Sequence, residues 1–418
     1  MKILFLNNAD IEGGAARGAT RLLEGIRAQG ADARLCVQRK FGNSPFVIGP
    51  HTFLGKAMGF ARPTLEQAIF NISPRKTHGP FSPSFIPDGL PSKVAEIGPD
   101  IVHLHWVANM MRLETLRRFI VPVVWTMHDS WAFTGGCYIP SDCTRYQDEC
   151  GRCPVLGSCR KNDLSHRVWR RKQKAWNSLN LTIVAPSRWI GDCAKASSLF
   201  HSSRIEVIPN AIDVERYKPL DKRMAREIYS LPHDKKLVLF GAKSATKDRN
   251  KGFHLLARAL QELSDSGWRD SVEVVFFGSS EPEQQQNFGL KTHYLGWLSD
   301  DISLALLYSA ADVFVFPSLQ ESLGYTAMES MACNTPCVAF RQGGVPDLID
   351  HQQNGYLAHP FEPSDLARGI AWILEDNERR SALAVRARQK VVQEFAVKKI
   401  AEQHMALYRE ILRGNVRA

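Results

Sequence analysis

The 418-residue sequence holds no apolar run approaching the length that spans a bilayer, about 20 consecutive hydrophobic residues. It also lacks a long-period repeat or a low-complexity tract, which excludes solenoid and disordered architectures. The opening MKILFLNNAD turns polar too soon for a secretory leader and reads as a first buried strand, so a cytoplasmic protein is expected. Acidic residues are in deficit: 53 Lys and Arg face 43 Asp and Glu, a formal net charge of +10. That balance calls for an anionic partner, but charge alone does not separate nucleotide sugars, anionic lipid surfaces and nucleic acid. With 44% hydrophobic and 23% charged residues, the composition is that of an ordinary globular protein. The length exceeds one comfortable core, so two domains of roughly 200 residues are expected.

What is present is a double alternation of strand and helix patterns. Apolar runs KILFLNN, ADARLCVQ, DIVHLHWV, VPVVWTMHD and LTIVAPS are separated by segments of helical length up to about residue 210. Such alternation predicts α/β domains with a parallel sheet covered on both faces. A second series runs through KKLVLFGA, SVEVVFFG, THYLGW, DVFVFPS and CVAF. Between them VIPNAIDVERYKPLDKR, with Pro209, Asn210, Asp213 and Pro219, reads as a non-helical connector. The expected domains are therefore 1–210 and 211–397, followed by an amphipathic helix within 398–418.

The densest chemistry lies in FPSLQESLGYTAMESMACNTPCVAF, which reads as strand, polar turn and helix. The turn presents Glu321. The helix start, around Leu323, Gly324 and Tyr325, presents amides without intrahelical partners, which favour a phosphate through hydrogen bonds and the helix dipole. Glu329, in the second turn, is close enough to reach the same ligand. Taken alone, two glutamates eight residues apart also fit a solvated helix face. A second glycine loop follows in RQGGVPDLI, where Gly343 and Gly344 permit close backbone approach.

Together, ESLGYTAMESMACNTPCVAFRQGGVPDLI resembles the signature of the retaining glycosyltransferases of family 4. These have the GT-B fold: two Rossmann-like, doubly wound parallel-sheet domains facing each other across a cleft. The match covers Glu321, Glu329, Gly324, Pro336 and the paired glycines, with Asp347 where a Glu is more usual. The resemblance implies retaining transfer of a hexose-type sugar from a UDP- or GDP-sugar to an acceptor hydroxyl, with no cofactor or metal needed for catalysis. Glu321 would hold donor-sugar hydroxyls and Glu329 the ribose hydroxyls. Gly13 and Gly14 would approach the donor phosphates and the acceptor. His128, in TMHD, would line the donor-sugar pocket, with His105 a weaker candidate that supports the sheet end. Lys251, before Gly252, would clamp the diphosphate. Its arginine partner normally follows the strand's glycine at once, but Ala242 follows Gly241 here, leaving Arg249 and Lys243 as candidates. The last helix crosses back onto the first domain in that family.

Five of the nine cysteines, Cys137, Cys143, Cys150, Cys153 and Cys159, fall within one insert at about 135–160. Cys150-x-x-Cys153 has the spacing of half a structural zinc site, and Cys137 with Cys143 or Cys159 would complete a tetrahedral set. Disulfides and packed free thiols stay open as readings. The insert, TGGCYIPSDCTRYQDECGRCPVLGSC, is similar to one in a family 4 subgroup that resembles colanic-acid and other exopolysaccharide glycosyltransferases. That subgroup implies a saccharide acceptor, lipid-linked, in surface polysaccharide biosynthesis.

Two segments bear on a membrane. The run HRVWRRKQKAW sets Arg167, Arg170, Arg171, Lys172 and Lys174 around Trp169 and Trp176, which fits a solvated helix face with two packed tryptophans or an edge against anionic headgroups at the inner face of the cell membrane. Residues 51–85 scatter Phe53, Leu54, Met58, Phe60, Leu65, Ile69 and Phe70, either an amphipathic helix packed on the core or a membrane-facing element. Competing classes are a GT-B-fold sugar-nucleotide enzyme of epimerase or phosphorylase type, and a zinc-dependent nucleic-acid-binding protein. The cysteines directly follow a core strand and His128, so nucleic acid is not the expected partner.

Overall fold

The computed structural model describes residues 1–71, 79–241, 248–278, 288–298 and 300–415. They form two compact units, Met1–Ala211 together with the chain from Lys398, and Ile212–Val397. The strands of the first unit are β1 (Lys2–Ala9), β2 (Asp32–Arg39), β3 (Val47–Ile48), β4 (Ile101–Leu104), β5 (Val123–Thr126), β6 (Leu181–Ala185) and β7 (Arg204–Val207). They pair in parallel in the order β3-β2-β1-β4-β5-β6-β7. Its helices are α1 (Gly14–Ala28), α2 (Phe53–Asn71), α3 (Leu90–Ile97), α4 (Leu164–Trp176) and α5 (Arg188–Ala196).

The second unit has β8 (Lys236–Gly241), β9 (Val272–Phe277), β10 (Lys291–Tyr294), β11 (Val313–Phe316), β12 (Cys337–Phe340) and β13 (Gly355–Ala358), parallel in the order β10-β9-β8-β11-β12-β13. Around them lie α6 (Lys222–Ile228), α7 (Phe253–Leu263), α8 (Asp301–Ala310), α9 (Tyr325–Ala332), α10 (Val345–Leu348), α11 (Pro363–Glu375) and α12 (Asn377–Glu394). The last helix, α13 (Val397–Asn415), belongs to the first unit from Lys398 onward.

The strand sequences explain the architecture. Ile3 through Ala9 are all buried, as strands covered on both faces require. In α1, Ala16, Ala19, Leu22, Leu23 and Ile26 repeat at helical spacing and form the buried stripe. The α13 helix docks through Ile400, Ala401, Met405 and Tyr408, all buried, and the Tyr408 hydroxyl meets His103 Nδ1 at 2.5 Å. In the second unit Asp312, 5% exposed, receives Arg226 Nη2 at 2.8 Å, Lys222 Nζ at 2.5 Å and the Leu237 amide at 2.7 Å. This carboxylate ties α6 to the amino ends of β8 and β11.

Both sheets reverse their strand order once near the middle, between β1 and β4 and between β8 and β11. In open parallel sheets the crevice for ligands opens there, at the carboxyl ends of the strands.

Candidate functional site

In the second unit, the loop after β11 carries Glu321 against the turn that precedes α7. Lys251 Nζ lies 2.6 Å from Glu321 Oε1, with the two side chains about one fifth exposed. Burial opposes the Lys251 charge, but the Glu321 carboxylate outweighs it and raises the lysine above its ordinary range. Backbone contacts bind the two loops as well: the Leu319 amide donates to Asn250 O at 2.8 Å and Asn250 Nδ2 to Gln320 O at 2.9 Å.

Two glycines make this closeness possible. Gly252 has φ +71°, and a Cβ there would stand 1.8 Å from Pro317 O. Gly343 has φ +59°, and its Cβ would stand 2.4 Å from Glu321 O, while the Gly344 amide donates to that same oxygen at 2.9 Å. The Glu321 loop is thus held between the turn at 249–252 and the turn at 343–344. Behind it α9 starts at Tyr325 after Gly324, with no side chain capping its first turn, and Leu323 is fully buried. Glu329 points inward at 2% exposure and accepts a hydrogen bond from Tyr308 Oη at 3.2 Å. Arg249 is exposed at the head of its turn; Lys243 lies outside the described residues.

In the first unit, Asn7, Asn8 and Asp10 close β1. The Trp106 amide donates to Asn7 Oδ1 at 2.7 Å, Asn8 Nδ2 donates to Ala108 O at 3.2 Å, and Asp10 accepts the Phe41 and Gly42 amides at 2.9 and 2.8 Å. Gly13 precedes α1, whose first residue is Gly14, and the space beside the Gly13 Cα is open. At the ends of β4 and β5, His105 Nδ1 and His128 Nε2 lie 2.9 Å apart. His103 is occupied on both nitrogens, by Tyr408 Oη and by Thr126 Oγ1 at 2.8 Å. Burial holds His103 and His105 well below the usual histidine range, and His128 down to about 4. Burial also pushes Asp129 up to about 6, although Trp131 and Trp106 donate to its carboxylate at 2.8 and 2.6 Å.

Sequence reasoning missed several of these groups. Asn250, Tyr308 and the Asp129 pairing with Trp106 involve partners 20 or more residues away, which spacing does not reveal. The two asparagines directly after the first apolar run were the available signal for the β1 end.

The basic run on α4 is the solvated helix face with two packed tryptophans, except at Lys172. Trp169 and Trp176 are core residues, and Lys172 is fully buried. Its ammonium donates to Trp131 O and, at 3.0 Å, to Thr134 O, lies 3.9 Å from the centre of the Trp131 ring, and is lowered by burial to about 7. Arg171 pairs with Glu114 at 2.9 Å on two nitrogens. Arg167, Arg170 and Lys174 remain exposed and, with Arg117 and Arg171, line a groove of about 600 Å³. A larger hollow of about 710 Å³ sits at the amino ends of β5 to β7, opposite the strand ends that carry the candidates. On α2, Phe53, Leu54, Met58, Phe60 and Leu65 are exposed, so this helix is not simply packed on the core. The side chains of Ile69 and Phe70 lie outside the described residues.

All nine cysteines are free. Among the described residues, the His, Cys, Asp and Glu trio whose ligand atoms lie within 4.8 Å of one another is His359, Glu362 and Asp365. The Cys137 thiol has Cys143, Cys150 and Cys153 as neighbours, not as close as that trio, and the zinc reading rests on their spacing. Cys150 Sγ accepts the Gly135 amide at 3.0 Å, and Cys137, Cys150 and Cys153 pack in the core of the unit.

Two doubly wound parallel sheets, each with polar groups at its strand-order reversal, define a protein of the GT-B class. Residues 221–390 match the model of glycosyl transferases group 1, and residues 12–216 that of glycosyltransferase family 4. The chain belongs to this glycosyltransferase superfamily. It is 31% identical to D-inositol 3-phosphate glycosyltransferase 2 of Catenulispora acidiphila over 67% of this chain and 64% of that protein, just under two thirds of the relative's length. Its fold is similar to sucrose-phosphate synthase from Thermosynechococcus elongatus, with TM-score 0.71 and 19% identity over 99% of this chain and 100% of that one. It is also similar to Anabaena HepE, solved in complex with UDP and glucose, with TM-score 0.63 and 19% identity over 97% and 99% of the two chains.

Proposed function

We propose that this protein transfers a hexose-type sugar from a nucleoside diphosphate sugar to a hydroxyl of a saccharide acceptor, with retention at the anomeric carbon. The observation that carries the reading is the Lys251–Glu321 pair, 2.6 Å apart, held by Gly252 and Gly343 beside the uncapped start of α9. As the bond from sugar to phosphate lengthens, the diphosphate gains charge, and a fixed cation with fixed amides favours that state over the ground state. Lys251 and the amides at Gly324 and Tyr325 fill this role, with Arg249 or Lys243 as a second cation. Glu321 binds donor-sugar hydroxyls and steadies Lys251, Glu329 serves the ribose hydroxyls, and Gly13 and Gly14 leave room near the phosphates. The role carried over from the family for His128 is contact with the donor sugar. The departing phosphate takes the acceptor proton, so no covalent nucleophile is needed.

UDP-sugars are the donors to test first, because HepE was solved with UDP and glucose. A lipid-linked saccharide of a surface polysaccharide is the preferred acceptor, supported by the exposed apolar residues of α2 and the basic groove beside α4. The protein would then work at the inner face of the membrane. Among the described residues no helix is long and apolar enough to cross it.

Incubation with a panel of UDP- and GDP-sugars should give slow hydrolysis of one donor, and that nucleotide should raise the melting temperature. Lys251→Ala or Glu321→Ala should lower turnover by roughly 10²–10³-fold, the usual loss for one preorganised stabilising group. Folded variants with full turnover would refute the reading.

A further inference from the structure

We propose that His105 is a positioning residue that fixes the proton of His128, so that His128 offers an N–H, and not a lone pair, to an oxygen of the bound sugar. The identity of that ligand rests on the function proposed above; the placement of the proton does not.

A neutral imidazole has one N–H and one bare nitrogen. His105 Nδ1 and His128 Nε2 lie 2.9 Å apart, so one proton is shared and one ring supplies it. The surroundings of His105 decide which. Its ring packs with Phe5, at 5.3 Å and 18°, and His103, at 4.5 Å and 31°, in a three-ring cluster, and is 3% exposed. Its backbone is pinned on both sides, by its own amide to Leu6 O at 2.9 Å and by Trp125 Nε1 to its carbonyl at 3.2 Å. His105 Nε2 is buried and has no hydrogen-bond partner, while the neighbouring His103 has both nitrogens engaged elsewhere.

If His128 donated the shared proton, His105 would have to carry its own on Nε2, as an N–H buried without an acceptor. Orphaned buried N–H groups are among the rarest and costliest features of folded proteins. If His105 donates from Nδ1, only a bare lone pair is left at Nε2. The second arrangement is favoured, and it uses up the lone pair on His128 Nε2. The proton of His128 must then sit on Nδ1. A histidine in that state recognises a hydroxyl or ring oxygen and cannot take up a proton through its engaged nitrogen.

Long-range 1H–15N correlation spectra of the full chain with 15N-labelled histidine read the proton positions directly and need no substrate. Nδ1–H forms are expected for both His105 and His128. An Nε2–H form of His128 overturns the proposal. His105→Phe keeps an aromatic ring but removes the donor, and His105→Asn returns an amide N–H near the place of Nδ1. His128 should move toward Nε2–H in the first variant and stay Nδ1–H in the second, with sugar transfer falling roughly tenfold in the first and recovering in the second, the worth of about one hydrogen bond. An unchanged His128 in His105→Phe overturns the proposal. If that variant does not fold, the wild-type spectrum alone decides. The expected proton positions in a protein that accepts no nucleotide sugar would uphold this assignment and sink the functional reading instead.

Discussion

At the carboxyl ends of its strands the first unit gathers imidazoles, His103, His105 and His128, all held neutral by burial, whereas the second gathers a lysine and a carboxylate 2.6 Å apart beside a helix start. Neutral rings in fixed orientation suit hydroxyl recognition, because they set direction without drawing counterions. A paired cation and oriented amides suit a phosphate, whose charge grows during transfer. The same division extends into the scaffold. A fully buried lysine of the first unit, Lys172, is offset by carbonyls and a tryptophan ring, and a buried carboxylate of the second, Asp312, by arginine and lysine.

Acid should separate the two units most sharply. His128 and His404 are held near 4, and His103 and His105 well below the ordinary value of 6.5. Between those values the unfolded chain binds protons that the folded unit refuses, so stability present above pH 6.5 is lost as pH falls toward 4. One fully buried histidine of this kind is worth on the order of 2–3 kcal/mol. Asp129, raised to about 6, works in the opposite direction and offsets part of the loss. In the second unit Asp312 and Asp365 are lowered from 3.8, so their contribution persists until pH falls below that value; among its described histidines His254 and His351 are lowered, and both are partly exposed. Six of the nine tryptophans, at 106, 125, 131, 169, 176 and 189, lie in the first unit. Tryptophan fluorescence should therefore change at a higher pH than the circular dichroism of the whole chain. Coincident acid transitions would remove the contrast.

Asp312→Ala attacks the comparison from the other side. It strips a carboxylate, 5% exposed, from Lys222, Arg226 and the Leu237 amide, and breaking such a buried pair costs about 3–5 kcal/mol. Urea unfolding should lose that much in the second unit, with the fluorescence-weighted transition of the first unit little moved. A uniform shift of both would show that the units do not respond separately.

Gly252→Ala should come next, at about 2–4 kcal/mol, combining the left-handed backbone with a Cβ that would lie 1.8 Å from Pro317 O. Because that glycine seats Lys251 against Glu321, donor-induced thermal shift should fall further than the melting temperature itself. Loss of stability with donor response intact would detach the glycine clamp from the site.

The sheet strands were legible because strands covered on both faces read as continuous apolar runs, as in KILFLNN and VFVF. RIEV at β7 escaped notice because it is a charged edge strand that stays half exposed, and GYLA at β13 because four residues carry little pattern. Glu321, Lys251 and the glycines could be read from local order and family likeness. Their closure into one cluster could not, since Lys251 and Glu321 are 70 residues apart in sequence. Lys172 shows the opposite failure: a lysine among arginines reads as solvated, and only the fold places carbonyls and Trp131 around its ammonium. For the cysteines, spacing supplied a metal pattern, and the fold brings Cys143, Cys150 and Cys153 near the Cys137 thiol.

The smallest expected change in stability belongs to the surface of the first unit. Phe53 is 88% exposed and Leu54 72% exposed at the start of α2, so replacing both with Ser removes few packing contacts. Stability should stay within roughly 0.5 kcal/mol of the wild type, as for other surface substitutions. If these residues enter a membrane interface, the same pair should weaken sedimentation with vesicles of mixed phosphatidylglycerol and phosphatidylcholine several-fold. Adding salt should weaken it again, because the exposed Arg167, Arg170 and Lys174 supply a screened attraction that the apolar residues do not. Vesicle binding that ignores both changes would leave the first unit with oriented imidazoles but without a membrane-facing side, and would turn the choice of acceptor toward a soluble saccharide.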